Sequence, residues 1–167
     1  MTLKKTIPFL ITVLACIFSG CRLEKNNEFA IYLLQEEIPG TQLDQYDINK
    51  LALERKPIIS ADDIVSYNQT THVMELTPPA YARIQGLFTL PVNVHGIPFV
   101  VCVGEERIYS GAFMTPVSSI ALDGVVIPQP FDSEERTIQI NLGYPGLIAF
   151  TGIDPRTDPR IIKSLEQ

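Results

Sequence analysis

The sequence predicts an α+β fold, a small mixed or antiparallel sheet with two or three short helices packed on it. Three observations carry that expectation. Apolar runs with strand character recur along the chain, and helical spacing is confined to short stretches between them. The clearest hairpin signal joins Ile97–Val103 to 107–113 through Gly104-Glu105-Glu106. Strands and helices do not alternate regularly, which argues against a parallel α/β fold.

In chain order, residues 28–34 are rich in apolar and aromatic side chains and read as a first strand. Residues 35–50 carry Pro39-Gly40 and several polar side chains and read as a connection, with a short strand expected near 48–53. Ser60 is placed to cap a helix over 61–68, with Asp62 and Asp63 in its first turn. A strand is expected over 72–76. Thr77-Pro78 then opens a second helix whose apolar face is Ala80, Tyr81, Ile84, Leu87 and Phe88. The arm 97–103 is apolar throughout, as befits a central strand covered on both sides. Strands are expected at 125–127 and 137–142, and a short C-terminal helix capped by Asp158 follows Asp154-Pro155-Arg156-Thr157-Asp158-Pro159-Arg160.

The N-terminus carries the chain's address. Lys4 and Lys5 precede the twelve-residue apolar run 7–18, and Ser19-Gly20 stand directly before Cys21. A permanent transmembrane helix needs about 20 apolar residues, more than this run provides. Phe18-Ser19-Gly20-Cys21 resembles the lipobox of bacterial lipoproteins, with Phe in place of the usual Leu. That resemblance implies cleavage between Gly20 and Cys21, a thioether-linked diacylglycerol and an acylated amine on Cys21, and an extracytoplasmic, lipid-anchored protein. Arg22 stands where an Asp commonly retains enteric lipoproteins in the inner membrane, so the outer membrane, facing the periplasm, is favoured. Residues 21–28 then form a lipidated tether and 29–167 a single domain.

The sequence carries 13 basic and 19 acidic side chains. Removal of residues 1–20 takes away Lys4 and Lys5, leaving a formal charge of about −8. Such acidity, with no basic cluster beyond Arg156, Arg160 and Lys163, argues against nucleic-acid binding. Of three cysteines, Cys16 leaves with the leader and Cys21 is acylated, so Cys102 remains a lone thiol expected in the core.

No Gly-x-Ser-x-Gly elbow, His-x-x-x-His pair, acidic calcium loop or glycine-rich phosphate loop is present. His72 and His95 are the available general bases for a hydrolase, but they fall at a strand start and in a loop. Asp62-Asp63 and Glu105-Glu106 are adjacent pairs whose expected roles are capping and turn solvation. Asp154 and Asp158 offer oxygen ligands for calcium, or two successive turns and a helix cap. Tyr109, Phe113 and Tyr144 are expected as exposed aromatics of a binding surface. No metal, cofactor or catalytic residue is expected.

Three stretches together resemble the periplasmic head subdomain of SecD, the membrane protein that assists secretion. They are Ile59-Ser60-Ala61-Asp62-Asp63-Ile64, then His72-Val73-Met74-Glu75-Leu76-Thr77 leading into Ala82-Arg83-Ile84, and Gly96 to Val103 with Arg107 to Ala112. The likeness covers about residues 57–127 and consists of element order and apolar positions. It implies a fold and a leaning toward polypeptides, without SecD's motor activity, which works through multiple membrane spans. The sequence therefore leads to a non-catalytic envelope module that binds a protein or peptide, with a weakly marked hydrolase or a small-ligand carrier as alternatives.

Overall fold

Apolar strands that alternate their burial cannot stand alone in water, and this chain gathers them into two sheets. In a computed structural model that describes residues 27–131 and 134–166, the elements are β1 (Phe29–Leu33), β2 (Ile59–Ser60), β3 (Ile64–Asn68), β4 (Val73–Leu76), α1 (Pro78–Gly86), β5 (Ile97–Val103), β6 (Glu106–Met114), β7 (Leu122–Pro128), β8 (Thr137–Gln139), β9 (Asn141–Tyr144) and α2 (Pro159–Leu165). The fold is α+β. Six strands form one sheet in the order β2-β1-β5-β6-β7-β9, and three form another in the order β3-β4-β8. All neighbours are antiparallel except β6 and β7. Gly20, Cys21 and the rest of the leader and lipobox lie outside the described residues. Among the described residues no helix is long and apolar enough to cross a membrane.

The larger sheet is covered on both faces. Phe99, Val101 and Val103 of β5 and Tyr109 and Phe113 of β6 meet Met74 and Leu76 of β4, Ile138 and Ile140, the α1 face Ala80, Tyr81 and Ile84, and Ile161 of α2. On the opposite face Val100 and Cys102 pack against Ile38, Leu43 and Leu51. β5 is therefore buried on both sides, as its unbroken apolar run predicts. The Phe99 and Phe113 rings, 5.0 Å apart and tilted by 57°, meet near edge-to-face.

Where Ala61–Asn68 was expected to be helical, the helix stops after the 3-10 turn Ala61–Asp63, and β3 begins. The Asp63 carboxylate accepts from the Ser60 N–H at 2.8 Å and its hydroxyl at 2.9 Å, and pairs with Arg83 of α1 at 2.6 Å. That knot closes one turn. Ile64 and Tyr67, β-branched and aromatic, then pair with β4, with Val65 at the register shift between Ile64 and Ser66. The strand expected near 48–53 is instead a 3-10 turn, Ile48–Lys50, with one bridge between Leu34 and Leu53. Arg107 explains the difference: its guanidinium donates to the carbonyls of Ile48 and Leu51, which a strand would have turned toward a ladder.

The run 137–142, read as one strand, serves two sheets. Thr137–Gln139 pairs with β4, Asn141–Tyr144 pairs with β7, and buried Ile140 is the corner between them. At that corner Ile140 donates its N–H to the His72 carbonyl at 3.0 Å, and its own carbonyl accepts from Arg156 Nη1 at 2.6 Å. Asp154 holds the same guanidinium, accepting from Nε at 2.9 Å and Nη2 at 2.7 Å. Replacing Arg156 by Met strands both the carboxylate and the Ile140 carbonyl. We expect a loss of about 2–4 kcal/mol in urea unfolding, with Lys at this position recovering only part of it because it cannot bridge both acceptors in one plane.

Candidate functional site

β1 ends at Leu33 directly beside Phe99 of β5, so the chain that leaves β1 and the loop that enters β5 emerge together at one end of the large sheet. Between them lies a cleft of about 360 Å³ lined by Leu33, Leu34, Ile38, Pro39, Ile97 and Pro98, with Glu36, Glu37, Asn93 and His95 at its polar positions. Its two walls are fastened by main-chain bonds: Gly40 N–H to the Gly96 carbonyl and Thr41 N–H to the His95 carbonyl, both 3.1 Å. Gly40 is needed for this approach, because a Cβ there would stand 2.6 Å from the Ala112 Cβ. The Asn93 side chain accepts from the His95 N–H at 2.9 Å, and Ser118 Oγ donates to the Val94 carbonyl at 2.7 Å. The loop is thus set by its backbone, leaving the side chains of Glu36, Glu37 and His95 exposed.

Among the described residues no hydroxyl, thiol or amine lines the cleft. Apolar walls with two carboxylates at the rim suit an apolar chain carrying positive charge.

His72 lies elsewhere, at the sheet corner, with a backbone φ of +55° and its side chain buried. Its Nδ1 is 2.7 Å from the Tyr67 hydroxyl. Burial first, and the nearby Arg156 charge second, push its pKa below the ordinary imidazole value. A neutral imidazole hydrogen-bonded to a phenol is a structural arrangement, and burial likewise raises the Tyr67 phenol.

The aromatics expected on a binding surface are placed differently. Tyr109 and Phe113 are buried, because the regular register that sets Ile97 opposite Phe113 and Val101 opposite Tyr109 points both into the layer between the two sheets. Tyr144 is half-buried, and its hydroxyl donates to the carbonyls of Thr115 at 3.2 Å and Ser118 at 3.1 Å. It pins the short crossover between the parallel strands β6 and β7.

Cys102 is buried, and burial raises its thiol pKa against the opposing pull of Arg107, so it stays a protonated core group. Asp154 and Asp158 each accept from the arginine two residues onward and cap the turn or helix that follows. Among the described residues no group of three or more metal-ligating side chains is assembled. The sequence reading passed over the cleft, since Glu36 and Glu37 sit in a stretch without periodicity. It had registered the paired Asp-Pro-Arg motif but not the carbonyl that Arg156 reaches.

The sign of the His72 effect follows from its depressed pKa. Above about pH 6.5 the imidazole is neutral in both states and its contribution is fully present. As pH falls below that value the unfolded chain binds the proton first, and stability declines until the folded-state pKa is passed. A His72→Gln variant should lose the slope of stability between about pH 6.5 and 5, a window in which carboxylates remain ionised. Chemical denaturation across that range checks it, and an unchanged slope would assign the decline to another group.

Comparison of the chain with protein-family models, with curated proteins and with solved structures returned no match.

Proposed function

We propose that the processed chain is a lipid-anchored, extracytoplasmic module that holds an extended polypeptide segment, apolar with basic residues, in the cleft between 33–39 and 93–98. The observation that carries this reading is the cleft's composition: aliphatic and proline walls, two exposed carboxylates and, among the described residues, no hydroxyl, thiol or amine. An extended peptide presents alternate side chains to such a wall, and positive charges on it are attracted by Glu36, Glu37 and the acidity of the whole domain. The likeness of residues 57–127 to the SecD head leans the same way. A hydrolase using His95 or His72 is disfavoured because no hydroxyl, thiol or amine among the described residues lines the cleft beside His95 and the Nδ1 of His72 faces Tyr67. The small-ligand reading loses two of its three aromatics to the core.

Fluorescence anisotropy with the purified full-length processed protein tests the cleft. Peptides alternating Leu and Lys should bind at least about ten-fold tighter than those alternating Leu and Glu, a difference of about 1.4 kcal/mol. The Glu36→Lys, Glu37→Lys double variant should abolish or reverse that preference. Equal binding of both peptides, or of neither, removes the proposal. The anchor is tested separately: metabolic labelling with radioactive palmitate should mark the wild-type chain and not a Cys21→Ala variant, which should accumulate with its leader intact. Labelling that survives the substitution would refute the assignment of Cys21.

A further inference from the structure

The end of the large sheet opposite the cleft carries an unusual loop. Leu147, Ile148 and Ile153 are 68%, 96% and 94% exposed, three branched aliphatics within one short connection after β9. Isolated exposed aliphatics are common, but a cluster held out on a fixed loop marks a contact surface. The loop is fixed. Gly143, at φ +71°, lies so close beneath it that a Cβ would stand 2.5 Å from the Gly146 carbonyl oxygen. Ala149 N–H bonds the Gly146 carbonyl at 2.9 Å, Phe150 N–H bonds the Leu147 carbonyl at 3.0 Å, and Thr151 N–H reaches Asp123 of β7 at 3.0 Å.

Strand register locates this loop relative to the tether. Phe29 pairs with Val103, Val103 with Glu106, and Leu122 with Tyr144, while Gly111 of β6 aligns with Val125 of β7. The start of β1, the β5–β6 turn, the start of β7 and the end of β9 therefore lie at one end of the sheet. Residues leading back to Cys21 depart from the same end as the aliphatic loop. β1 and β9 are four strand spacings apart, about 19 Å, and the chain from Cys21 to Phe29 spans about 28 Å at most. An anchor at Cys21 thus has the reach to set this end of the domain on the bilayer.

We infer that Leu147, Ile148 and Ile153 insert into the interfacial region of the bilayer that holds the lipid anchor, fixing the domain with its peptide cleft turned away from the membrane. The inference rests on the anchor reading of Cys21. Its lipid is a zwitterionic one: Glu105 and Asp123 lie at the same end, where Arg160 is already paired with Glu106 and Asp158, and the two remaining carboxylates oppose anionic headgroups.

The test uses the full-length processed protein reconstituted in phosphatidylcholine vesicles, with an environment-sensitive fluorophore attached through Ile148→Cys or, at the cleft end, Val94→Cys. Ile148 is almost fully exposed, so the substitution leaves the fold intact. Doxyl-labelled lipid should quench the probe at 148 at least about five-fold more than the probe at 94, and adding phosphatidylglycerol should lessen that quenching. Protein that pellets with vesicles while both probes stay in water retains the anchor and overturns insertion. Protein that does not pellet and shows no quenching overturns both. A probe at 148 that becomes shielded only as protein concentration rises, without lipid quenching, assigns the loop to a second copy and also overturns the inference.

Discussion

The architecture depends on one corner. At Ile140 the chain leaves the three-stranded sheet and enters the six-stranded one, and a strand that changes sheets leaves its main-chain groups without a ladder partner. Both groups are satisfied from distant parts of the sequence: the His72 carbonyl takes the N–H, and Arg156 supplies the carbonyl's donor. Arg156 can do so because Asp154 holds its guanidinium in a planar fork. One C-terminal motif thereby joins both sheets and places α2, whose Ile161 enters the core beside them.

That corner also accounts for the polar groups that look catalytic in isolation. His72, Tyr67, Tyr109, Asp154 and Arg156 influence one another electrostatically, yet the pattern is that of a sealed joint. Burial drives the His72 imidazole toward neutrality and raises the phenols, while Arg156 holds the Asp154 carboxyl below its usual range. Each group is kept in the protonation state that fits its present neighbours, so the cluster stiffens the fold. Arg107 has a parallel role on the opposite face, where it converts the carbonyls of Ile48 and Leu51 from a would-be strand into a turn covering Val100 and Cys102.

Two exposed features lie at opposite ends of the large sheet: the cleft with its carboxylate rim at one, and the aliphatic loop on the side where β1 begins at the other. The two proposals divide along that axis: contact with lipid at one end and capture of a polypeptide at the other. A sheet buried on both faces is a stiff spacer between them, because shifting its strands would break ladder bonds and core packing together.

By itself the sequence determined what depends on local pattern: the α+β class, β1, the β5–β6 hairpin, α1 with its buried Ala80, Tyr81 and Ile84, and the C-terminal helix behind Asp158. Periodicity, proline at a helix start and an Asp cap act within a few residues, so they can be read without the fold. Tertiary structure decided the rest. Asp63 ended the expected helix by pairing with Arg83 of α1 and Ser60; Tyr109 and Phe113 went inside because a second sheet covers their face; Glu36 and Glu37 met His95 because β1 and β5 are neighbours. These outcomes rest on contacts between residues far apart in the chain, whose free energy exceeds the local preferences of any short stretch.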